Sequence, residues 1–191
     1  MSPAPTVTLR PLEAGDSERL RGWRNQPEIA RWMYSDHVIG PEEHARWFAG
    51  ALADPRRRYW VIEADGAPVG LANLYDLAPE HGRASWAYYV AEASVRGKGV
   101  GAAVEFQVIE QVFGPLGLNK LWCEVLVDNA GVVRLHESFG FQREARMREH
   151  VRKEGQAVDV VGLGLLAAGW AVQRPASLAR LLKHGFEFPE L

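Results

Sequence analysis

A run of closely spaced glycines in the middle of the chain constrains the fold more than any other feature. Gly97, Gly99 and Gly101 fall within the segment Arg96–Gly101, between a strand-like segment and a helix-like one. Glycines let the backbone approach a ligand closely, and the start of the following helix offers free N–H groups and a positive dipole. The segment therefore predicts a loop that binds a pyrophosphate group, with a Gly-rich surface turn as the alternative.

Two familiar phosphate-binding loops do not fit this spacing. A Walker loop requires the pattern GxxxxGK[ST], which the sequence lacks. A Rossmann fingerprint requires GxGxxG in an N-terminal βαβ unit, whereas these glycines are two apart in mid-chain. Neither of these two loops therefore accounts for the glycine spacing.

The order of hydrophobic patterns predicts an α/β fold with one mixed sheet. Strands are predicted at Val7–Pro11, Tyr59–Glu63, Pro68–Tyr75, Ala84–Val90, Lys120–Val127, Arg143–Lys153 and Gln156–Leu165. Helices are predicted at Ser17–Trp23, Glu28–Met33, 41–52, Ala102–Phe113, Asn129–Ser138 and Ser177–Lys183. Because no repeat or low-complexity linker interrupts this order, we expect one domain over residues 1–170. Residues 171–191 are expected to form a C-terminal appendix that carries the last short helix.

Composition excludes several classes of function. The chain has 22 Lys and Arg residues against 24 Asp and Glu residues, a net charge of −2, which argues against a nucleic-acid partner. The single cysteine, Cys123, excludes an internal disulfide and a cysteine metal cluster, and no histidines show metal-ligand spacing. We therefore expect no metal. The sequence shows neither a signal peptide nor an apolar run of membrane-spanning length, so we expect a cytoplasmic monomer or homodimer without a membrane partner.

Two motifs resemble the GCN5-related N-acetyltransferases (GNAT). Arg96-x-x-Gly99-x-Gly101 is similar to their cofactor loop, and Asn129-x(6)-His136 is similar to a second GNAT pattern. The resemblance implies a mostly antiparallel sheet of about seven strands, flanked by helices, with a V-shaped split for acetyl-CoA. It also implies cofactor contacts from Val90, Arg96, Gly97, Lys98, Gly99, Val100, Gly101 and Asn129, with a backbone N–H at the end of the Val90 strand stabilising the oxyanion.

Acyl transfer to an amine requires a base and a proton for the departing CoA thiolate. Glu124 is the only charge in the apolar run Leu121–Val127, and GNAT enzymes similar to the ribosomal-protein alanine acetyltransferases carry a glutamate there, so we expect it to be the base. His136 stands where most GNAT enzymes place a tyrosine that protonates the thiolate, which implies an acid role. The alternatives are a structural ion pair for Glu124 and a surface position for His136.

The first helices show a closer resemblance, to the N-acetyltransferases of the pseudaminic-acid pathway. The motif Trp23-Arg24-Asn25-x-Pro27-Glu28 carries it, together with Arg148-Glu149-His150. This resemblance implies an acceptor that is a UDP-linked amino-deoxysugar, acetylated on its 4-amino group. Two other functions remain open: an N-terminal acetyltransferase of ribosomal proteins or peptides, and a non-catalytic CoA-binding module.

Four residues are candidates for binding this acceptor. Arg24 is expected to grip a phosphate with its guanidinium fork, and His44 to contact phosphate or sugar. Tyr75 and Tyr89 are expected to contact the sugar or the uracil. Solvated surface positions are the alternative for Arg24 and His44, and core packing is the alternative for the two tyrosines.

Overall fold

The computed structural model describes residues 4–188, so both ends of the expected ranges, residues 1–3 and 189–191, lie outside it. The strands are β1 (Val7–Pro11), β2 (Arg58–Ala64), β3 (Ala67–Ala78), β4 (Arg83–Val90), β5 (Lys120–Leu126), β6 (Gln142–Lys153) and β7 (Gln156–Leu166). The helices are α1 (Ser17–Arg24), α2 (Pro27–Ala30), α3 (Pro41–Ala53), α4 (Val100–Phe113), α5 (Ala130–Ser138) and α6 (Ala167–Lys183). The predicted α/β class is confirmed.

The seven strands in this part of the chain form one mixed sheet in the order β1-β2-β3-β4-β5-β7-β6. Strands β4 and β5 are its one parallel pair within residues 4–188, and they pair only from Arg83–Ser85 to Lys120–Trp122. Beyond these residues the two strands part. The V-shaped split that the GNAT resemblance implied is therefore present between β4 and β5.

Side chains alternate along each strand, so both faces of the sheet carry apolar residues. Helices cover both faces. On one face, Phe106 of α4 is buried in a core that includes Leu74 of β3 and Trp86 of β4. On the other face, Leu20 of α1 packs in a second core with Leu71, the β3 residue of opposite orientation. The two cores fix the sheet between α4, α5 and α6 on one side and α1, α2 and α3 on the other.

The C-terminal helix is longer than the predicted Ser177–Lys183 helix, since α6 begins at Ala167 and contains Pro175. Proline removes one backbone hydrogen bond from a helix, but Pro175 lies on the exposed face, where water can reach the freed carbonyl group. Leu181 of this helix and Phe186 beyond it are buried in the main core. The segment expected to be an appendix thus contributes to that core.

Candidate active site

The split between β4 and β5 opens into a cavity of about 580 Å³. It brings together most of the predicted cofactor residues and both predicted catalytic residues. Its lining includes Tyr89, Val90, Arg96, Gly97, Gly99, Val100, Gly101, Glu124, Asn129 and His136. Lys98 is exposed and outside this lining, and Arg24, His44 and Tyr75 also lie outside it.

The glycine loop turns directly into α4, which begins at Val100 rather than at the predicted Ala102. Gly97 and Gly99 have left-handed φ angles of 76° and 81°, which glycine adopts without steric cost. Gly99 is the N-cap residue of α4, so Gly101 lies in the first helical turn, where backbone N–H groups have no partner within the helix. This arrangement presents an anion-binding helix start to the cavity.

Two aromatic side chains, Phe186 and Tyr88, pack against the glycine loop. A Cβ atom on Gly99 would lie 2.9 Å from the ring of Phe186, and one on Gly101 would lie 3.0 Å from the Tyr88 hydroxyl. Packing against these two side chains therefore disfavours a larger residue at either position. The contact with Phe186 brings the C-terminal segment under the glycine loop.

Gly70 of β3 allows β4 to approach closely at the end where the oxyanion site is expected. Gly70 is paired with Val90, and a Cβ atom on it would collide with the backbone oxygen of Tyr89. Sequence reasoning missed this residue, although a glycine inside a strand signals close backbone approach. Gly70 thus sets the course of the β4 backbone around Val90.

Glu124 lies half-buried on the cavity wall and is held by two donors. The Tyr34 hydroxyl donates to Oε2 at 2.6 Å, and the Trp122 indole N–H donates to Oε1 at 3.3 Å. Burial and the Glu124 carboxylate raise the pKa of Tyr34, so this hydroxyl remains a donor. No arginine among residues 4–188 lies within ion-pair distance of Glu124, which leaves the carboxylate available to a substrate.

His136 is buried rather than on the helix surface, and its partner was not predicted. It is 3% exposed, and its Nδ1 lies 2.8 Å from Oε1 of Glu105, which is fully buried on α4. Burial alone would lower the pKa of His136, but the Glu105 carboxylate and a hydrogen bond with Cys123 together outweigh it and raise the pKa to about 10. The signal in the sequence was an acidic residue between Val104 and Phe106 on an otherwise apolar stretch of helix.

Arg24 and His44 line a second, smaller cavity of about 260 Å³ instead of the main one. Arg24 donates through Nη2 to Ser35 Oγ at 3.1 Å. Its Nη1 and the Nε2 of His44 are buried, and neither finds a hydrogen-bond partner within the described residues. The expected surface alternative is wrong for His44, which is only 3% exposed.

The two tyrosines proposed for the acceptor differ in their surroundings. Tyr89 belongs to the core formed with α1, and its buried hydroxyl has no partner among residues 4–188. Tyr75 lies half-buried on β3, and burial raises its pKa, with a further contribution from the Glu124 carboxylate. Tyr75 therefore lies close to the proposed base, whereas Tyr89 lies between the main cavity and Arg24.

Comparison with known proteins identifies the family. Residues 6–142 match the family described as Acetyltransferase (GNAT) domain. The chain belongs to the GNAT acetyltransferase family. It is an acetyl-CoA-dependent N-acetyltransferase.

The relatives of this GNAT include spermidine N-acetyltransferases and acetyltransferase PseH. The chain is 23% identical to spermidine N(1)-acetyltransferase of Escherichia coli strain K12, over 96% of this chain and 98% of that protein. It is 25% identical to acetyltransferase PseH of Campylobacter jejuni, over 68% of this chain and 79% of that protein. A solved spermidine N-acetyltransferase from Vibrio cholerae, in complex with CoA and spermine, superposes with a TM-score of 0.81 at 24% identity, covering 87% of this chain and 98% of that one. The last comparison supports the fold.

Neither a metal-binding cluster nor a membrane span is found in the described part of this GNAT. No group of three or more His, Cys, Asp or Glu residues in positions 4–188 could hold a metal ion. No helix over the same residues is long and apolar enough to cross a membrane.

A lysine at the tip of the β6–β7 hairpin holds the loop that carries Tyr34. Lys153 Nζ donates to the backbone oxygens of Ala30, Met33 and Ser35 at 3.0, 2.6 and 3.1 Å. These bonds join segments about 120 positions apart in the sequence, so local patterns could not reveal them. Lys153 therefore fixes the loop that positions a donor on Glu124.

We expect Lys153→Met to raise the acceptor KM of this GNAT about 10-fold while the acetyl-CoA KM stays unchanged. Hydrogen bonds to a charged group contribute about 1.5–3 kcal/mol each, and their loss frees the Tyr34 loop but not the glycine loop. Steady-state kinetics with each substrate varied in turn measures the effect. Arg152→Met, at the exposed neighbouring position, is the matched control, and an equal rise in both KM values would contradict the assignment.

Proposed function

We propose that this GNAT acetylates the 4-amino group of a UDP-linked amino-deoxysugar, by direct transfer from acetyl-CoA in a ternary complex. The observation that supports this acceptor best is the unpaired guanidinium of Arg24 in the lining of the second cavity. Arg24 Nη1 and His44 Nε2 are both buried without a hydrogen-bond partner in residues 4–188, and both side chains line this cavity. A guanidinium without a carboxylate partner at a cavity favours an anionic ligand.

The energetics of these donors favour a diphosphate over a cationic acceptor. A buried polar group without a hydrogen bond is costly, and burial lowers the pKa of both Arg24 and His44. A phosphate would accept from the charged guanidinium and would favour the protonated form of His44. Glu43, the acidic residue of the same cavity, is paired with His37 at 2.9 Å, so it does not neutralise Arg24. A polyamine would meet an unpaired guanidinium here.

Consecutive residues connect the second cavity to the proposed base. Tyr34 donates to Glu124, and its neighbour Ser35 accepts from Arg24. Because Tyr34 and Ser35 are adjacent in the chain, we infer that one elongated substrate spans from the Glu124 carboxylate to the Arg24 guanidinium. In a 4-amino-hexose diphosphate, one sugar ring separates the amine from the phosphates. That substrate would place its amine at Glu124 and its phosphate at Arg24.

Each step of the transfer has a candidate group in the main cavity. Glu124, directly or through a water molecule, takes a proton from the acceptor amine as its nitrogen attacks the acetyl carbonyl. A backbone N–H near Val90 stabilises the oxyanion, and His136 protonates the departing thiolate. Burial raises the pKa of the Cys123 thiol, so the thiolate needed for an acyl-enzyme is disfavoured. Direct transfer is therefore the simpler route.

An acceptor panel with acetyl-CoA tests the proposed function. We expect release of CoA with a UDP-4-amino-4,6-dideoxysugar at a kcat/KM at least 100-fold above that with spermidine or with peptides that present a free N-terminus. The relation to PseH motivates the first arm, the spermidine acetyltransferases the second, and the Glu124-type base of N-terminal acetyltransferases the third. Preference for spermidine or for a peptide would overturn the proposal.

We expect Arg24→Lys to raise the KM for the UDP-sugar about 10-fold and to leave the acetyl-CoA KM unchanged. Lysine retains the charge but cannot form the two parallel bonds of a guanidinium to a phosphate. Arg46→Lys, on the exposed side of α3, is the control. If the UDP-sugar KM does not move, Arg24 does not bind the acceptor; if both KM values rise together, the substitution has damaged the fold.

A further inference from the structure

We propose that Glu105 is a positioning residue that keeps His136 charged and oriented as the proton donor to the departing CoA thiolate. This inference rests on the proposed direct transfer. It assigns a catalytic purpose to a carboxylate that is buried in α4 and that touches neither substrate.

The geometry fixes which nitrogen of His136 can act. Nδ1 is occupied by Glu105 at 2.8 Å, and the ring is packed between Trp86, at a centroid distance of 5.4 Å, and Phe141, at 5.3 Å. His136 also lines the cofactor cavity. A proton delivered from this ring into the cavity must therefore come from Nε2, and the ring cannot turn without breaking the bond to Glu105.

Glu105 has little else to satisfy its charge. Its second oxygen, Oε2, is buried and accepts no hydrogen bond within the part of the chain described. A fully buried carboxylate is costly unless it is paired, and His136 is its partner at ion-pair distance. Because the two groups are paired, an ionised Glu105 favours the imidazolium form of His136.

The other titratable groups around the pair come from three further elements. Tyr88 faces it from β4 and Cys123 from β5, and burial raises the pKa of both, so both stay neutral at physiological pH. Burial raises the pKa of Glu105, and His136 and Arg180 of α6 act against that rise. The groups that can carry charge at this site are therefore Glu105, His136 and Arg180.

The protons balance in the proposed step. The carbon–sulfur bond breaks with its electron pair on sulfur, and the Nε2 proton of His136 forms the thiol of CoA. His136 is left neutral with its Nδ1 proton bonded to Glu105. The proton removed from the amine passes from Glu124 to solvent, and His136 takes one back from solvent after CoA leaves.

The test combines the titration of the His136 ring by NMR with the pH dependence of kcat, in wild-type protein and in Glu105→Gln. Wild type should titrate near 10, so its activity should persist below that pH and fall above it. Glutamine keeps the size and an acceptor oxygen but removes the charge, so the ring should titrate at 6.5 or below. The alkaline limb of the kcat–pH profile should shift to lower pH together with the pKa of the ring. At pH 9, kcat should fall about 10-fold or more, and the loss should shrink as the pH is lowered towards the pKa of the ring in the variant.

Controls separate positioning from a purely structural role. Glu110→Gln removes a carboxylate of the same helix, one that pairs with Arg174, and should leave the limb in place. Glu105→Asp should restore part of the wild-type limb, and His136→Phe assigns the NMR signal. A wild-type ring that titrates near 6.5 overturns the proposal, and so does a limb that Glu105→Gln does not move. The NMR titration needs no acceptor, so failure of the UDP-sugar assignment would be seen separately in the acceptor panel.

Discussion

We expect Glu124→Gln to lower kcat about 10- to 1000-fold and to leave the acetyl-CoA KM nearly unchanged. General bases contribute about 10²- to 10⁴-fold, and the low end applies where an amine can lose its proton to water. Glutamine fits the same space but cannot take the proton. The defect should shrink as the pH rises, because a larger fraction of the acceptor amine is then already neutral. Steady-state kcat across pH measures both effects.

Two further variants test whether the effect of Glu124→Gln is specific to its carboxylate. Glu42→Gln, at an exposed position at the start of α3, should leave kcat unchanged. Tyr34→Phe removes the 2.6 Å bond to Glu124 and should cost less than Glu124→Gln, because the carboxylate itself remains. If Glu124→Gln keeps kcat within 2-fold at neutral pH, Glu124 is not the base.

We expect Gly101→Val to raise the acetyl-CoA KM 10-fold or more. Its Cβ atom would lie 3.0 Å from the Tyr88 hydroxyl, and the further methyl groups would shift the first turn of α4. The N–H groups of that turn would then lose hydrogen bonds to the pyrophosphate, each of which contributes about 1.5–3 kcal/mol to an ionised group. Calorimetric titration with CoA and steady-state kinetics measure the loss.

A rescue experiment shows whether steric pressure on this turn is the cause. Gly101→Ala should give a smaller rise in KM, and the double variant Gly101→Ala with Tyr88→Phe should recover part of it, since the hydroxyl is the nearest atom. Gly50→Ala, where a Cβ atom would meet nothing within 4 Å, should bind CoA normally. An unchanged acetyl-CoA KM in folded Gly101→Val would remove the loop from the cofactor site.

Local patterns were sufficient for most of the fold. Hydrophobic patterns predicted the strands, and the β4–β5 split followed from the GNAT resemblance. The error at α6 arose because Pro175 argues against a helix locally, while burial of Trp170, Ser177 and Leu181 stabilises the helix on both sides of it. Tertiary packing that outweighs local helix propensity cannot be predicted from a short stretch of sequence.

Site residues could be predicted only where the local sequence distinguishes them. Glu124 is the single charge of an apolar strand, and the glycines of Arg96–Gly101 have a characteristic spacing. The Glu105–His136 pair joins residues 31 positions apart, and Lys153 reaches Met33 across 120 positions. Such contacts depend on how the helices and the hairpin are placed on the sheet. The division of the acceptor region into two cavities likewise required the three-dimensional structure.

Because β4 and β5 pair over only a short stretch, we expect a cofactor bound between them to contribute to the stability of the sheet. Between these strands, only Arg83–Ser85 and Lys120–Trp122 pair directly, and beyond them the backbone edges face each other across the cavity. Unpaired edges open more readily to solvent than paired ones. A ligand that binds only the folded state stabilises it by mass action, so acetyl-CoA bound where the direct pairing stops would hold the two strands together. We therefore expect resistance to unfolding to rise with the concentration of acetyl-CoA.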